Sequence, residues 1–192
     1  LKAICKISVF ISFPVVWSMR FPHWPKVRWS LPNRHRVIKL IWLALVEIGL
    51  ILGVLSILLP FLDTSMIMGV LRDNFANQPW VFAGVTLYIV IINAGLEEWY
   101  FRGFGYLRLR HLLSKQWAIA ISATLFSAYH VALMAGLFPW PLYWTLVAGL
   151  VGVGAVFCWL DEQTGSLWPS FVVHASANLA MNLVAMHWLG FL

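Results

Sequence analysis

Two adjacent glutamates, Glu97 and Glu98, lie in an apolar stretch with Arg102 four residues beyond the second. Residues four apart share a helix face, so Glu98 and Arg102 can pair. Glu97 lies about 100° round the helix, on the face of Asn93, and is left free to point elsewhere. Two later apolar stretches hold His130, four residues after Phe126, and His174, four residues before Asn178. On the first, the Phe126 ring can pack beside the imidazole and fix its rotamer. On the second, Ser170, His174, Asn178 and Asn182 form one polar stripe that should face a bundle interior. A carboxylate with two imidazoles suits proton transfer to and from water, metal ligation or simple interhelical hydrogen bonding.

The elements that must position these groups are membrane helices. The chain has 192 residues, of which 61% are hydrophobic and 10% charged, against about 25% charged in an average soluble domain. Five hydrophobic stretches, roughly 38 to 62, 80 to 107, 116 to 137, 142 to 160 and 166 to 190, are each long enough to cross a bilayer as a helix. Tryptophans such as Trp42, Trp80, Trp117, Trp144, Trp159, Trp168 and Trp188 fall near their ends, as aromatic belts do. The expected fold is therefore an all-α membrane bundle of about five transmembrane helices. An N-terminal interfacial helix over residues 4–17 is expected beside it, with Lys2 and Lys6 at its start. Residues 1–37 form that segment and a basic linker interrupted by Pro22, Pro25 and Pro32, and residues 38–192 form the membrane domain. The chain opens at Leu1, not Met, so a segment upstream is expected to have been removed.

The net charge of +6 comes from juxtamembrane residues, which argues for topology and against a nucleic-acid partner. The basic segments Arg20 to Lys39 and Arg108 to Lys115 are placed in the cytoplasm, with an acidic turn at Asp161 and Glu162 on the same side. Cys5 and Cys158 make neither a disulfide framework nor a metal-ligand pair.

A charge at mid-bilayer costs about 2.5 to 3.5 kcal/mol on insertion scales, so each one needs a partner or a function. The second span must run through Trp99 and Leu107 if Glu97 is to reach mid-depth. That makes it about 28 residues and roughly 42 Å long, with Gly103 and Gly105 relaxing its cytoplasmic end. An intramembrane, water-accessible cavity is expected around Glu97. Glu47 in the first span is expected to pair or to line that cavity. Gly149, Gly152 and Gly154 are expected to allow close helix approach, and Asn93, Ser170 and Asn182 to be structural.

In order along the chain, Glu97-Glu98-Trp99-Tyr100-Phe101-Arg102 resembles an E-E-x-x-x-R motif, Phe126 to His130 an F-x-x-x-H motif and His174 to Asn178 an H-x-x-x-N motif. The ordered triplet, over residues 97–178 and with the phrase Thr164 to Pro169 before its third motif, resembles the CPBP family of CAAX proteases and bacteriocin-processing (Abi) enzymes. The resemblance implies a glutamic intramembrane endopeptidase. In it Glu97 and His130 would hold and activate water, and His174 and Asn178 would stabilise the oxyanion. Glu98, Arg102 and Phe126 would be supporting residues. It implies no cofactor and no metal. Its partners would be a membrane-associated protein or peptide substrate and the lipid bilayer, and its location the bacterial inner (plasma) membrane as a multi-pass protein. The competing readings are a zinc metallohydrolase, weakened by the absence of H-E-x-x-H, and a non-catalytic peptide-binding or bacteriocin-immunity protein.

Overall fold

The computed structural model describes residues 2–20, 28–31, 33–134 and 136–192. Of the sequence expectations, Pro22, Pro25 and Pro32 of the basic linker lie outside the described residues. The described residues form seven helices and no strand. These are α1 (Lys2–Arg20), α2 (Arg34–Leu58), α3 (Ser65–Phe75), α4 (Pro79–Leu107), α5 (Lys115–Met134), α6 (Trp140–Thr164) and α7 (Trp168–Trp188). Proline occupies the first turn of α4, α6 and α7 as Pro79, Pro141 and Pro169, where its missing N–H leaves no helical bond unmade. The Asn33 side chain caps α2 by accepting from the Arg36 N–H at 3.0 Å. Before α3, Asp63 accepts hydrogen bonds from Ser65, which hold its carboxyl below the usual range.

Among the described residues, three helical segments are long and apolar enough to cross a membrane: Arg34–Phe61, Pro79–Leu107 and Trp140–Thr164. The other two expected spans are helical, as α5 with 20 residues and α7 with 21.

The chain divides into two compact units, one of residues 1–32 and 95–170 and one of residues 33–94 and 171–192. In the first, α5 and α6 pack face to face. A Cβ placed on Gly154 would stand 3.0 Å from the Ala123 Cα and 3.4 Å from the Phe126 ring. Gly149 and Gly152 have nothing within 4 Å at that position, so of the three expected glycines only Gly154 makes a close approach. The hairpin is also tied by Ser127 Oγ, which donates to the Val147 carbonyl at 2.8 Å. Tyr106 of α4 is fully buried together with Ala118 and Cys158 of the hairpin.

Helix α6 runs on through Asp161 and Glu162 and stops at Gly165, whose φ of 64° closes it with an N–H bond to the Asp161 carbonyl at 2.7 Å. The expected acidic turn is thus the last turn of a helix, and the next helix begins at Trp168. The turn between them is clasped by residues 28–30. The Leu167 N–H donates to the Arg28 carbonyl at 3.1 Å, Ser166 Oγ to Ser30 at 2.8 Å and Trp168 Nε1 to Trp29 at 3.0 Å.

In the second unit, α2 presents no buried residue, as expected of a helix whose apolar surface faces lipid. Phe82 of α4 is buried between Phe75 and Phe191, at 5.1 and 6.1 Å. Thr86 donates to Asn182 Oδ1 at 3.1 Å and so links α4 to α7.

Gly154→Val forces a branched side chain against the α5 backbone and should lower stability by about 1 to 3 kcal/mol. Gly149→Ala has open space and better helix propensity and should not. Thermal unfolding in detergent distinguishes the two.

Candidate active site

Helix α4 is not a uniform α-helix. Pro79–Leu87 is α-helical, Tyr88–Asn93 and Glu98–Leu107 are π-helical, and a short α-helical stretch, Ala94–Glu97, lies between the two π-helical ones. Such widened turns are uncommon and frequently mark functional sites. In the second, the Phe101 carbonyl accepts from Ser122 Oγ of α5 at 2.7 Å.

Glu97 ends the α-helical stretch and is 2% exposed. Its Oε2 lies 3.7 Å from His130 Nε2, and its Oε1 lies 2.5 Å from the Lys6 ammonium of α1. His130 is oriented from its other nitrogen: Nδ1 stands 2.9 Å from the Phe126 carbonyl one turn back. A carbonyl only accepts, so Nδ1 carries the hydrogen, and in the neutral ring Nε2 presents its lone pair towards Glu97. The Phe126 ring packs on the imidazole at 4.5 Å, and Tyr129 meets it edge-on at 5.2 Å.

The neighbouring pair is fully enclosed. Glu98 Oε1 and Arg102 Nη1 are 3.3 Å apart and neither side chain is exposed. The guanidinium lies over Phe126 at 4.1 Å and Phe157 at 4.8 Å, where the ring faces favour a cation. Asp161 is also fully buried and accepts from the Ser170 N–H at 3.0 Å and from Ser170 Oγ at 2.7 Å. It thereby satisfies a backbone donor in the first turn of α7.

His174 and Asn178 belong to the other compact unit, one turn apart on α7. His174 is buried. The Asn178 amide donates to the Ile89 carbonyl of the first π-helical stretch at 3.5 Å, and an amide nitrogen carries a second hydrogen to donate. Asn182 Nδ2 donates to the Asn178 carbonyl at 2.8 Å. Glu47 of α2 accepts a short hydrogen bond from Ser176 Oγ on the same helix α7, so its partner is a hydroxyl.

Two residues were not legible as site residues. Lys6, read as the flanking charge of an interfacial helix, supplies the cation at Glu97, so the expectation of a free carboxylate is corrected. Its one sequence signal is a lysine followed by an apolar helical stretch, Ile7 to Trp17. Asp161, read as part of a turn, is a buried acceptor, and its signal is the Ser170 hydroxyl nine residues on.

Arg102→Met leaves Glu98 buried without its cation, and breaking a buried pair from one side typically costs 3 to 5 kcal/mol. The expected result is a loss of that size in reversible unfolding, largely recovered in Glu98→Gln/Arg102→Met.

Residues 78–180 match the family described as Type II CAAX prenyl endopeptidase Rce1-like. No curated protein and no solved structure matches significantly. The matched residues make up just over half of the 192-residue chain and take in the glutamate pair, both histidines and Asn178. The chain that holds Glu97 against His130 inside apolar helices accordingly belongs to the Rce1-like type II CAAX prenyl endopeptidases, a family of proteases.

Proposed function

We propose that this protein is a glutamic intramembrane endopeptidase, with water activated by Glu97 and His130 and the oxyanion held by His174 and Asn178. The observation that carries this reading is the Glu97–His130 pair: a buried carboxylate oxygen 3.7 Å from an imidazole nitrogen whose tautomer is set by the Phe126 carbonyl. Water donates a proton to this pair as its oxygen bonds to the substrate carbonyl carbon. The carbonyl oxygen becomes the oxyanion, stabilised by N–H donors from His174 and Asn178. When the C–N bond breaks, the same pair returns the proton to the leaving nitrogen. Glu98, Arg102 and Phe126 support the geometry without touching substrate.

The same reading takes α2, α4, α5, α6 and α7 as the five spanning helices of a bacterial plasma-membrane protein. The substrate is a membrane-associated protein or peptide, and the family's description makes a prenylated C-terminal peptide the first to try.

The test is turnover of a farnesylated C-terminal peptide by the protein in liposomes. Glu97→Gln keeps size and hydrogen bonding but removes the base, so it should lower the rate by about 10² to 10⁴ while the protein stays folded. Glu98→Gln should lose less activity and more stability. The reverse pattern, a stable inactive Glu98→Gln beside an active Glu97→Gln, would exchange the roles of the two carboxylates.

The oxyanion donors are tested separately, because a carbonyl oxygen gains charge only as water attacks. Asn178→Leu and His174→Phe should each lower turnover by about 10² to 10³ with little change in peptide affinity. Weakened affinity at unchanged turnover would make this helix face a docking surface instead.

A further inference from the structure

Lys6 lies far in sequence from every motif, yet it divides the catalytic carboxylate with His130. Its ammonium is 2.5 Å from Glu97 Oε1, while Oε2 faces His130 Nε2 at 3.7 Å. The two oxygens have partners on two different helices, α1 and α5. The lysine itself is held: it is 12% exposed, and its ammonium sits over the rings of Tyr129 at 4.7 Å and Phe10 at 5.2 Å. Phe10 is buried, stacks on Tyr100 at 4.3 Å and meets the Phe101 ring at right angles at 5.7 Å. Tyr129 packs edge-on against His130. One aromatic cluster therefore fixes the cation on one side of the carboxylate and the imidazole on the other.

We propose that Lys6 is a positioning residue for the hydrolysis, anchoring one oxygen of Glu97 so that the other stays presented to His130. The proposal rests on the reading of Glu97 as the base. A carboxylate turns easily about its last side-chain torsion, which has a broad, roughly two-fold profile. Holding Oε1 removes that freedom before substrate arrives, and misplacing a reacting group by about 1 Å can cost on the order of 10² in rate. A lysine that only neutralised a buried charge would act differently: its loss would lower stability but leave the turnover of each folded molecule unchanged.

The experiment measures kcat and KM on the farnesylated peptide for full-length protein in liposomes, with folding checked by monodispersity and thermal unfolding. Lys6→Met should lower kcat by about 10- to 100-fold with KM within about twofold of wild type. Lys6→Arg should restore most of kcat. Lys6→Gln keeps a hydrogen-bond donor without the charge and should fall between them, and it carries the test if Lys6→Met does not fold. Wild-type kcat in folded Lys6→Met or Lys6→Gln overturns the positioning role, as does a raised kcat, which would mark the lysine as an obstruction. Glu97→Gln in the same assay separates the two levels of inference. An active Glu97→Gln overturns the reading of the base and this proposal with it, whereas an inactive Glu97→Gln beside an unimpaired Lys6→Met overturns the positioning role alone.

Discussion

Adjacent carboxylates enclosed in an apolar helix set the terms for everything around them. Glu97 and Glu98 are 2% and 0% exposed, and two neighbouring charges removed from water need two separate compensations. Their side chains leave the helix in different directions, so one cation cannot serve both. Glu98 is answered within its own helix by Arg102, and Glu97 by Lys6, 91 residues away on α1. The first solution is local and needs only the four-residue spacing. The second requires α1 to lie along the latter half of α4, which it does through Phe10 against Tyr100 and through Phe13 and Trp17 against Phe104.

The π-helical stretches on either side of Glu97 follow the same economy of partners. A widened turn disturbs the regular carbonyl ladder, and in a membrane an exposed backbone acceptor is expensive. Each stretch has a carbonyl that receives a side-chain donor from another helix: Ile89 from Asn178, Phe101 from Ser122. Ser122 and Asn178 thus have a backbone role that polar residues in apolar helices commonly take. For Asn178 this contact also fixes the amide, because one N–H held by Ile89 sets the direction of the other.

What the sequence made legible was whatever repeats within a helix. The five helical stretches, the Glu98–Arg102 pair and the stacking of Phe126 on His130 all follow from four-residue spacing and hydropathy. The rest depends on contacts between segments distant in the chain. Nothing near Lys6 announces Glu97, and nothing in Trp29-Ser30 announces the turn it clasps 136 residues later. The three glycines of α6 looked equivalent, yet only Gly154 faces Ala123, because closeness depends on which side α5 occupies. The π-helical turns had no compositional signature at all; Gly103 and Gly105 pointed to a relaxed helix end but not to its form.

The Glu98–Arg102 pair and the Glu97–His130 pair are joined by one ring. The Arg102 guanidinium lies 4.1 Å from the Phe126 ring, and the His130 imidazole lies 4.5 Å from the same ring. Phe126 is 2% exposed and is bounded also by Phe101 and Phe157, so it has little room to move if either neighbour shifts. Its carbonyl meanwhile holds His130 Nδ1. A change at Glu98 or Arg102 therefore reaches the imidazole by displacing packed atoms, with no need for either residue to touch a reacting group. The charge pair buried behind Phe126 maintains the wall against which His130 is set, and Glu97 is placed opposite it by a cation from another helix.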